Sequence, residues 1–289
     1  MRGTRVKALL YGAQGQLGTA IVAAARAGDL TLECAPRSVD ISDERGVTGL
    51  LQASQPDWVI NCAAMTNVDG AHGNPQLAMN VNAIGPANIA RAAKAVGARM
   101  IQISTEAVFD GECTEPYSED DVCHPVSVYG VTKLAGEMMV RVYAPDSFVL
   151  RTSWLYSGGT GVNFPTRILE QLAAHDGPVS VVTDVIGNPT PTGVLAGAVV
   201  AIISRPPTAG TYHVCCREPA SKYEWAVEIA EGAGYDGGRI VPVTSDAYTT
   251  VALRPKHVDL SCAKFLASGI YELPSWLDAY RKNGSPSGV

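Results

Sequence analysis

The sequence lacks several features that would place the protein in a particular class. Within its 289 residues, no apolar run approaches the roughly 20 residues that cross a bilayer. The first six residues lack the long apolar segment of a signal peptide. The seven cysteines show no CxxC spacing, which argues against a disulfide framework and against a zinc site. We therefore expect a soluble, cytoplasmic protein with no membrane partner.

Positive charge is also scarce. Lysine and arginine number 22 against 28 acidic residues, which gives a net charge of −6 and offers no basic surface for nucleic acid. The five histidines follow no metal-ligand spacing, so we predict no metal site. Hydrophobic residues make up 46% of the chain, which is ordinary for a globular protein able to bury a sizeable core.

Short apolar segments alternate with helical stretches in the first half of the chain. The predicted strands are 5–11, 30–35, 58–62, 100–104 and 148–151. The predicted helices are 19–28, closed by Gly28, then 43–53, 75–96 and 128–143. This alternation indicates an α/β fold, with a parallel sheet covered by helices on both faces.

After Arg151 the alternation loosens and glycine and proline become more frequent. Here the predicted helices are 192–203, 221–233 and 274–280, and the predicted strands are 179–182, 211–214 and 239–243. These segments predict a smaller lobe over one edge of the sheet. The tail from Asn283 to Val289 is predicted to be disordered.

A GxxGxxG turn occupies residues 12–18, between the first predicted strand and the first predicted helix. Glycine lets backbone N–H groups approach a pyrophosphate, which the positive end of the helix dipole also attracts. A glycine-rich loop without a ligand is the alternative, but the placement favours dinucleotide binding. Arg37, after the second strand, would suit the 2′-phosphate of NADPH, although an ordinary solvated arginine and NADH both remain open. Asp40 and Ile41 lie where the adenosine would bind, and Asp43 is a candidate helix N-cap.

Tyr129 and Lys133 are four residues apart and share one face of a predicted helix. A neighbouring lysine lowers the pKa of a tyrosine, which suits a general acid for carbonyl chemistry, although most such pairs are solvated surface. Upstream, Ser104 or Thr105 ends a strand at the ligand-binding edge of the sheet, as a substrate contact or as a simple ST-turn. Glu137 continues the spacing and is interpreted as a partner of Lys133 or as part of a solvated face, outside the site.

Taken together, these segments resemble the extended short-chain dehydrogenase/reductase superfamily and, within it, the dTDP-4-dehydrorhamnose reductase family. The resemblance covers nearly the whole chain and includes eight motifs in the family's order. The matching stretches are GAQGQLG (12–18), NCAAMTNVDGA (61–71), STEAVFDG (104–111), VYGVTKLAGE (128–137), RTSWLY (151–156), GVNF (161–164), GNPTPT (187–192) and LRP (253–255).

The resemblance implies a Rossmann-type doubly wound sheet over residues 1–151 and a substrate lobe formed mainly by 152–289, with some segments returning to the sheet. It also implies reduction, by NADPH or NADH, of the 4-keto group of a nucleotide-linked 4-keto-6-deoxyhexose, with dTDP as the expected nucleotide. A homodimer is a further candidate assembly. The implied catalytic residues are Thr105, Tyr129 and Lys133. With the residues of the turn and its surroundings, the cofactor set is Gly12, Gly15, Gln16, Leu17, Gly18, Arg37, Asp40, Ile41, Ala64, Met65, Thr66, Tyr129 and Lys133. The substrate set is Thr105, Glu106, Trp154, Asn163 and Arg254.

The chain departs from the family in two places. Where relatives commonly have Ser-Thr-Asp-Tyr, this chain has Ser-Thr-Glu-Ala at 104–107, so the wall beside the catalytic threonine differs. The run at 256–260 lacks the arginine of the family's Ser-Arg-Leu. The first change also removes the second carboxyl group that related 4,6-dehydratases use to eliminate water. Two alternatives stay open: a reductase for a different sugar, and a non-catalytic NADP-binding subunit similar to the regulatory subunit of methionine adenosyltransferase.

Overall fold

A six-stranded parallel sheet lies at the centre of the computed structural model, which describes residues 5–27, 30–158 and 161–283. The strands are β1 (Lys7–Tyr11), β2 (Thr31–Cys34), β3 (Trp58–Asn61), β4 (Arg99–Thr105), β5 (Phe148–Thr152), β6 (Leu155–Tyr156), β7 (Val179–Val182), β8 (Ile186–Gly187), β9 (Thr190–Pro191), β10 (Gly210–His213), β11 (Ala220–Ser221) and β12 (Ile240–Val243). The order in the central sheet is β10-β5-β4-β3-β1-β2. The order reverses beside β1, the kind of switch point at which α/β sheets bind ligands.

Helices connect the strands and cover the sheet. They are α1 (Gln16–Arg26), α2 (Glu44–Ser54), α3 (Val68–Gly73), α4 (Pro75–Met79), α5 (Gly85–Ala95), α6 (Val128–Tyr143), α7 (Phe164–Ala174), α8 (Thr192–Ser204), α9 (Lys222–Gly232), α10 (Ala263–Ala267) and α11 (Trp276–Asn283). Side chains cap several of them: Asp43 precedes α2 and accepts hydrogen bonds from two backbone N–H groups of its first turn, and Ser127 precedes α6 and accepts one.

The predicted α/β fold with a parallel sheet is confirmed. The predicted helix 75–96 is divided into α4, a π-helical turn at Asn80–Ile84, and α5. The first helix ends at Arg26, and Gly28 lies outside the described residues. Of the tail predicted to be disordered, Asn283 ends α11, and 284–289 are likewise outside the described part. Sequence reasoning missed α3, α7 and α10.

Hydrophobic residues fill both faces of the sheet. Because side chains alternate along a strand, Leu9 of β1 faces one layer with Ile89 of α5, and Leu10 faces the other with Val199 of α8. All four side chains are fully buried. Burial of each such residue stabilises the fold by about 1.5–3 kcal/mol, so the layers hold the strand ends in a fixed arrangement.

Segments of the second half form a separate core around Trp225 of α9. Ile168 of α7, Val179 of β7 and Ile240 of β12 pack in this cluster, and β7 pairs in parallel with β12. One second-half strand, β10, instead joins the central sheet beside β5. The second half therefore contributes both to the sheet and to a lobe at its edge. Of the helices that the structure describes, none combines the length and the apolarity needed to cross a membrane.

Candidate active site

A cavity of about 430 Å³ opens at the carboxyl ends of β1, β3, β4 and β5. It brings the predicted catalytic residues together with most of the predicted cofactor residues. The lining residues are Gly12, Gly15, Gln16, Leu17, Gly18, Cys62, Ala64, Thr66, Val68, Ile103, Ser104, Thr105, Glu106, Tyr129, Lys133, Thr152, Trp154 and Leu155. Parallel strands direct their carboxyl ends to the same edge, which is why residues so distant in sequence meet there.

The glycine turn leaves its own backbone open to close approach by the phosphate groups of a ligand. Gly12 has φ +78°, and a Cβ there would lie 2.7 Å from the backbone nitrogen of Ala63. A Cβ on Gly18 would lie 2.2 Å from the carbonyl oxygen of Gly12. Gly15 caps α1 without a side chain, so the N–H groups of the first helical turn face the cavity. These features fit the pyrophosphate of a dinucleotide such as NADP.

The remaining cofactor candidates near the turn differ in what they contact. Ala64 and Thr66 line the cavity, whereas the N–H of Met65 donates a hydrogen bond of 2.8 Å to the side-chain oxygen of Asn82. The side-chain oxygen of Gln16 accepts hydrogen bonds from the N–H and hydroxyl of Ser157, at 3.1 and 3.0 Å. Gln16 thus joins the glycine turn to the segment that follows β6.

Three predicted adenosine contacts lie outside the cavity, in the loop that follows β2. Arg37 and Asp40 are exposed, and the Asp40 carboxylate accepts hydrogen bonds from the N–H and hydroxyl of Ser42. Ile41 is buried, and a Cβ on Gly85 would lie 2.5 Å from its terminal carbon. Contact of these residues with the adenosine and its 2′-phosphate stays a prediction.

Thr105, predicted to be catalytic, forms a compact turn with the residue that follows it. The Thr105 hydroxyl donates a hydrogen bond of 2.7 Å to Oε2 of Glu106 and accepts one of 3.2 Å from the N–H of Ala107. The start of α6 packs against this turn, since a Cβ on Gly130 would lie 2.1 Å from the carbonyl oxygen of Ala107. The helix that carries Tyr129 is thereby held at the end of β4.

Lys133 is buried and Tyr129 is half-buried at the cavity wall, and removal from solvent shifts both of their pKa values. The Lys133 ammonium donates a hydrogen bond of 2.6 Å to the carbonyl of Ile103, and burial lowers its pKa to about 8. Burial raises the pKa of Tyr129, as does the charge of Glu106, while a hydrogen bond with Thr105 lowers it. The prediction that Lys133 lowers the tyrosine's pKa is wrong for this structure, because burial of the phenol dominates. Tyr129 therefore carries its proton at neutral pH.

The interpretation of Glu137 is also wrong. Its side chain is fully buried and pairs with Arg151 of β5, whose Nη2 lies 2.8 Å from Oε2, rather than with Lys133. The hydroxyl of Ser104 donates a further hydrogen bond of 2.5 Å to Oε1. Spacing of i, i+4 places Glu137 on the face of α6 that carries Lys133, but only the fold shows that this face packs on the sheet.

Of the predicted substrate residues, Trp154 and Glu106 line the cavity, as Thr105 does. The Trp154 ring stacks on that of Trp225, with centroids 5.9 Å apart and planes 12° apart. Asn163 instead caps α7 and lies in a neighbouring groove with Thr66. Arg254 is exposed and pairs with Asp69 at 2.8 Å, so these two stay predictions as substrate contacts.

Comparisons with known proteins agree with this geometry. Residues 6–283 match the family described as RmlD substrate binding domain. The dTDP-4-dehydrorhamnose reductase of Mycolicibacterium smegmatis is 39% identical over 273 residues, which are 94% of this chain and 83% of that protein. The chain belongs to the dTDP-4-dehydrorhamnose reductase family. The family predicted from the motifs is thus confirmed.

Solved structures of family members superpose closely on this chain. The dTDP-4-dehydrorhamnose reductase of Clostridium acetobutylicum has a TM-score of 0.92 at 36% identity, covering 96% of this chain and 98% of that one. The enzyme of Bacillus anthracis, in complex with NADP, has a TM-score of 0.91 at 31% identity, covering 97% and 99%.

One residue that sequence reasoning missed, Lys222, acts electrostatically on Glu106 of the cavity wall. Lys222, the first residue of α9, places its ammonium 3.3 Å from the centroid of the Trp154 ring, and also against Phe164 and Trp225. Burial lowers its pKa to about 7, and the charge of Glu106 opposes that decrease. Its position at the start of a predicted helix did not indicate a role, because Lys222 meets Trp154 and Phe164 only in the folded chain.

Proposed function

We propose that this protein reduces the 4-keto group of a nucleotide-linked 4-keto-6-deoxyhexose in deoxysugar biosynthesis. One observation carries the proposal: Thr105, Tyr129 and Lys133 share the wall of a cavity whose floor is a phosphate-binding glycine turn. The relatives named as dTDP-4-dehydrorhamnose reductases support the substrate class, with dTDP as the nucleotide. The NADP complex of the Bacillus anthracis enzyme supports the cofactor.

A bound NADPH or NADH would supply hydride to the carbonyl carbon of the sugar. The protein's own contribution concerns the carbonyl oxygen, on which negative charge develops. Tyr129 is protonated at neutral pH and donates its proton to this oxygen, while the Thr105 hydroxyl lies beside it. Proton transfer from a positioned group contributes about 10² to 10⁴ in rate. The Lys133 ammonium, anchored on the Ile103 carbonyl, adds positive charge at the same wall.

The relatives named as dTDP-4-dehydrorhamnose reductases support the reductase function and not the non-catalytic alternative. The predicted homodimer and cytoplasmic location belong to the proposal as predictions. Size-exclusion chromatography with light scattering tests the first, and subcellular fractionation tests the second.

The decisive experiment offers the purified protein dTDP-4-keto-6-deoxyglucose and its epimers together with NADPH or NADH. We expect loss of absorbance from the reduced cofactor and formation of a 6-deoxyhexose with one more hydroxyl group. A panel of UDP-, GDP- and CDP-linked keto-sugars defines the nucleotide. If the folded protein binds the cofactor but consumes none of these substrates, the proposed function is wrong.

A further inference from the structure

The Trp154 ring lines the cavity and is confined by the groups around it. The ring of Trp225 stacks on it, and the ammonium of Lys222 lies 3.3 Å from its centroid. The backbone of Trp154 has φ +42°, a left-handed conformation that bulky residues rarely adopt. Such strain persists only where the surrounding structure fixes the residue, and it is concentrated at ligand-binding positions.

The strained backbone of Trp154 is anchored on both sides. The N–H of Thr190 donates a hydrogen bond of 3.3 Å to the Trp154 carbonyl, and Leu155 pairs with Thr190 between β6 and β9. Before the tryptophan, the hydroxyl of Ser153 accepts a hydrogen bond of 3.2 Å from the N–H of Asn188. Because the backbone is held in this way, the atoms that surround the ring decide where the ring lies.

Gly187 of β8 leaves the space that the Trp154 ring occupies. A Cβ on Gly187 would lie 2.6 Å from Cε2 of the ring and 2.9 Å from Nε1, closer than a Cβ approaches non-bonded atoms in proteins. Gly187 does not have a positive φ, so its backbone conformation is open to alanine. Only the ring excludes a side chain at this position.

Strand pairing keeps β8 in place beside the ring. Gly187 is buried and pairs with Ala220, and Ile186 pairs with Ser221, in antiparallel register. The N–H of Val258 donates a further hydrogen bond of 2.9 Å to the carbonyl of Ile186. Since displacement of the strand would break these bonds, a side chain at Gly187 would displace the ring instead.

The Trp154 ring belongs to the part of the cavity that the proposed function gives to the sugar. Trp154 shares the cavity with Thr105 and Glu106 at the end of β4, whereas the glycine turn that fits the cofactor's pyrophosphate is a separate segment. A tryptophan ring offers a flat apolar surface on which the C–H groups of a sugar ring can pack. Displacement of the ring should therefore affect binding of the sugar and not binding of the cofactor.

We propose that Gly187 is a positioning residue, which by its lack of a side chain sets the place of the Trp154 ring against the sugar of the substrate. The inference rests on the proposed ketoreductase function, in which Trp154 is a predicted substrate contact. It adds that a glycine on another strand fixes this contact.

Gly187→Ala tests the proposal with saturating NADPH and the keto-sugar that the wild type reduces. We expect KM for the sugar to rise about tenfold or more, because a displaced wall weakens its binding. We expect kcat to stay within about threefold, because Thr105, Tyr129 and Lys133 keep their places. The Kd of NADPH, measured by its fluorescence, should not change.

Gly193→Ala is the matched control. Gly193 lies in α8, and a Cβ there would have no other atom within 4 Å. Neither KM nor kcat should change in this variant, and thermal unfolding of each variant shows whether it is folded.

A double-mutant cycle with Trp154→Ala distinguishes an effect through the ring from an effect on the fold. If Gly187 acts through the ring, Gly187→Ala should change KM by less than about twofold in the Trp154→Ala protein. If Gly187→Ala does not fold, recovery of folding in the double variant supports the proposal, and continued unfolding contradicts it. The nucleotide dTDP, used as a competitive inhibitor, should keep its Ki in Gly187→Ala, because the ring faces the sugar.

The outcomes separate the two proposals. A wild type that reduces no keto-sugar overturns the proposed function and the positioning role with it. An active wild type beside a Gly187→Ala variant with unchanged KM overturns the positioning role alone. An equal rise in KM with and without the Trp154 ring does the same. A Ki for dTDP that rises as much as KM would place the ring against the nucleotide and overturn the contact with the sugar.

Discussion

Ser104 and Thr105 are consecutive residues of β4 and both line the cavity, yet their hydroxyls have partners in two very different regions. The Ser104 hydroxyl joins the Glu137–Arg151 ion pair behind the strand, where both charged side chains are almost wholly buried and hydrogen-bonded to each other. The Thr105 hydroxyl lies beside Glu106 and Tyr129 in the cavity. Alternation along the strand separates the two regions.

The two regions differ in how fully each charged group is paired with an opposite charge. In the buried pair, two hydrogen-bonded partners satisfy each other, so the charges are fixed and contribute specificity to the packing of α6 on the sheet. In the cavity, Glu106, Tyr129 and Lys133 have pKa values shifted by burial and are compensated only in part. Groups left in this condition can exchange protons, which is what a reductase site requires. The predictions below test this division, starting with the largest expected effect.

Tyr129→Phe should abolish the proposed chemistry without weakening the fold. Removal of the phenol takes away the acid, and we expect kcat for the keto-sugar to fall by about 10² to 10⁴. Steady-state cofactor oxidation measures this, and thermal unfolding should be close to that of the wild type. Tyr143→Phe is the control, since Tyr143 ends the same helix and its ring contacts Arg91 rather than the cavity. Equal losses in both variants would contradict a role specific to Tyr129.

Glu137→Leu should give the opposite pattern. It leaves Arg151 buried without its carboxylate, which typically costs 3–5 kcal/mol in the free energy of unfolding. Urea denaturation measures the loss. Glu112→Leu, at an exposed position, should change the stability by less than about 0.5 kcal/mol. If Glu137→Leu is as stable as the wild type but loses most of its kcat, Glu137 acts in the reaction, and the buried ion pair is not separate from the cavity.

The sequence predicted the two regions unequally. The strand–turn–helix context of the glycine turn and the Tyr129–Lys133 spacing are local signals, and both lead to residues that line the cavity. Glu137 was misinterpreted because its partner, Arg151, lies on another strand, and helix spacing alone does not reveal which face packs on the sheet. Arg37 and Asp40 lie in the loop that follows β2. Their contact with the cofactor does not follow from the sequence, because it depends on a loop conformation that no periodicity encodes.

The segments missed in the fold have the same cause. α3 and α10 are only 6 and 5 residues long, too short for a helical period to emerge. α7 follows the glycine-rich stretch around 157–161, which was interpreted as a loop. The capping box formed by Asn163 and Thr166 was therefore not recognised as the start of a helix. Lys222 was missed because its role depends on the docking of the lobe at the sheet edge.

Ser104→Ala should reduce stability and spare the chemistry. It removes a hydrogen bond to a charged carboxylate, which is worth about 1.5–3 kcal/mol, and leaves Thr105, Tyr129 and Lys133 in place. Denaturant unfolding measures the first effect and kcat the second. Thr105→Ala should behave in the converse manner, with a large loss of kcat. Should Ser104→Ala lose activity as strongly as Thr105→Ala, the two hydroxyls would not belong to separate regions.

Lys222→Met should produce the smallest effect, a shift in pH dependence. The Lys222 cation lowers the pKa of Glu106, so its removal raises that pKa. The Thr105 hydroxyl donates a hydrogen bond to ionised Glu106 and is released to donate elsewhere when Glu106 is neutral, so we expect kcat to fall as pH rises through the pKa of this group. The fall should therefore move to higher pH in the variant.

The Lys222 effect should be clearest below about pH 7, because the pKa of Lys222 itself is lowered to about 7 and its charge disappears above that value. Lys264→Met is the control: the Lys264 ammonium also lies over an aromatic ring, 5.0 Å from the centroid of Tyr212, in a helix packed on β10 away from the cavity. Lys222→Arg keeps the charge and should keep the wild-type profile. A shift in Lys222→Met that is absent from both Lys222→Arg and Lys264→Met assigns the effect to the charge that faces Glu106. If the pH profile of Lys222→Met does not move, Glu106 titrates independently of Lys222.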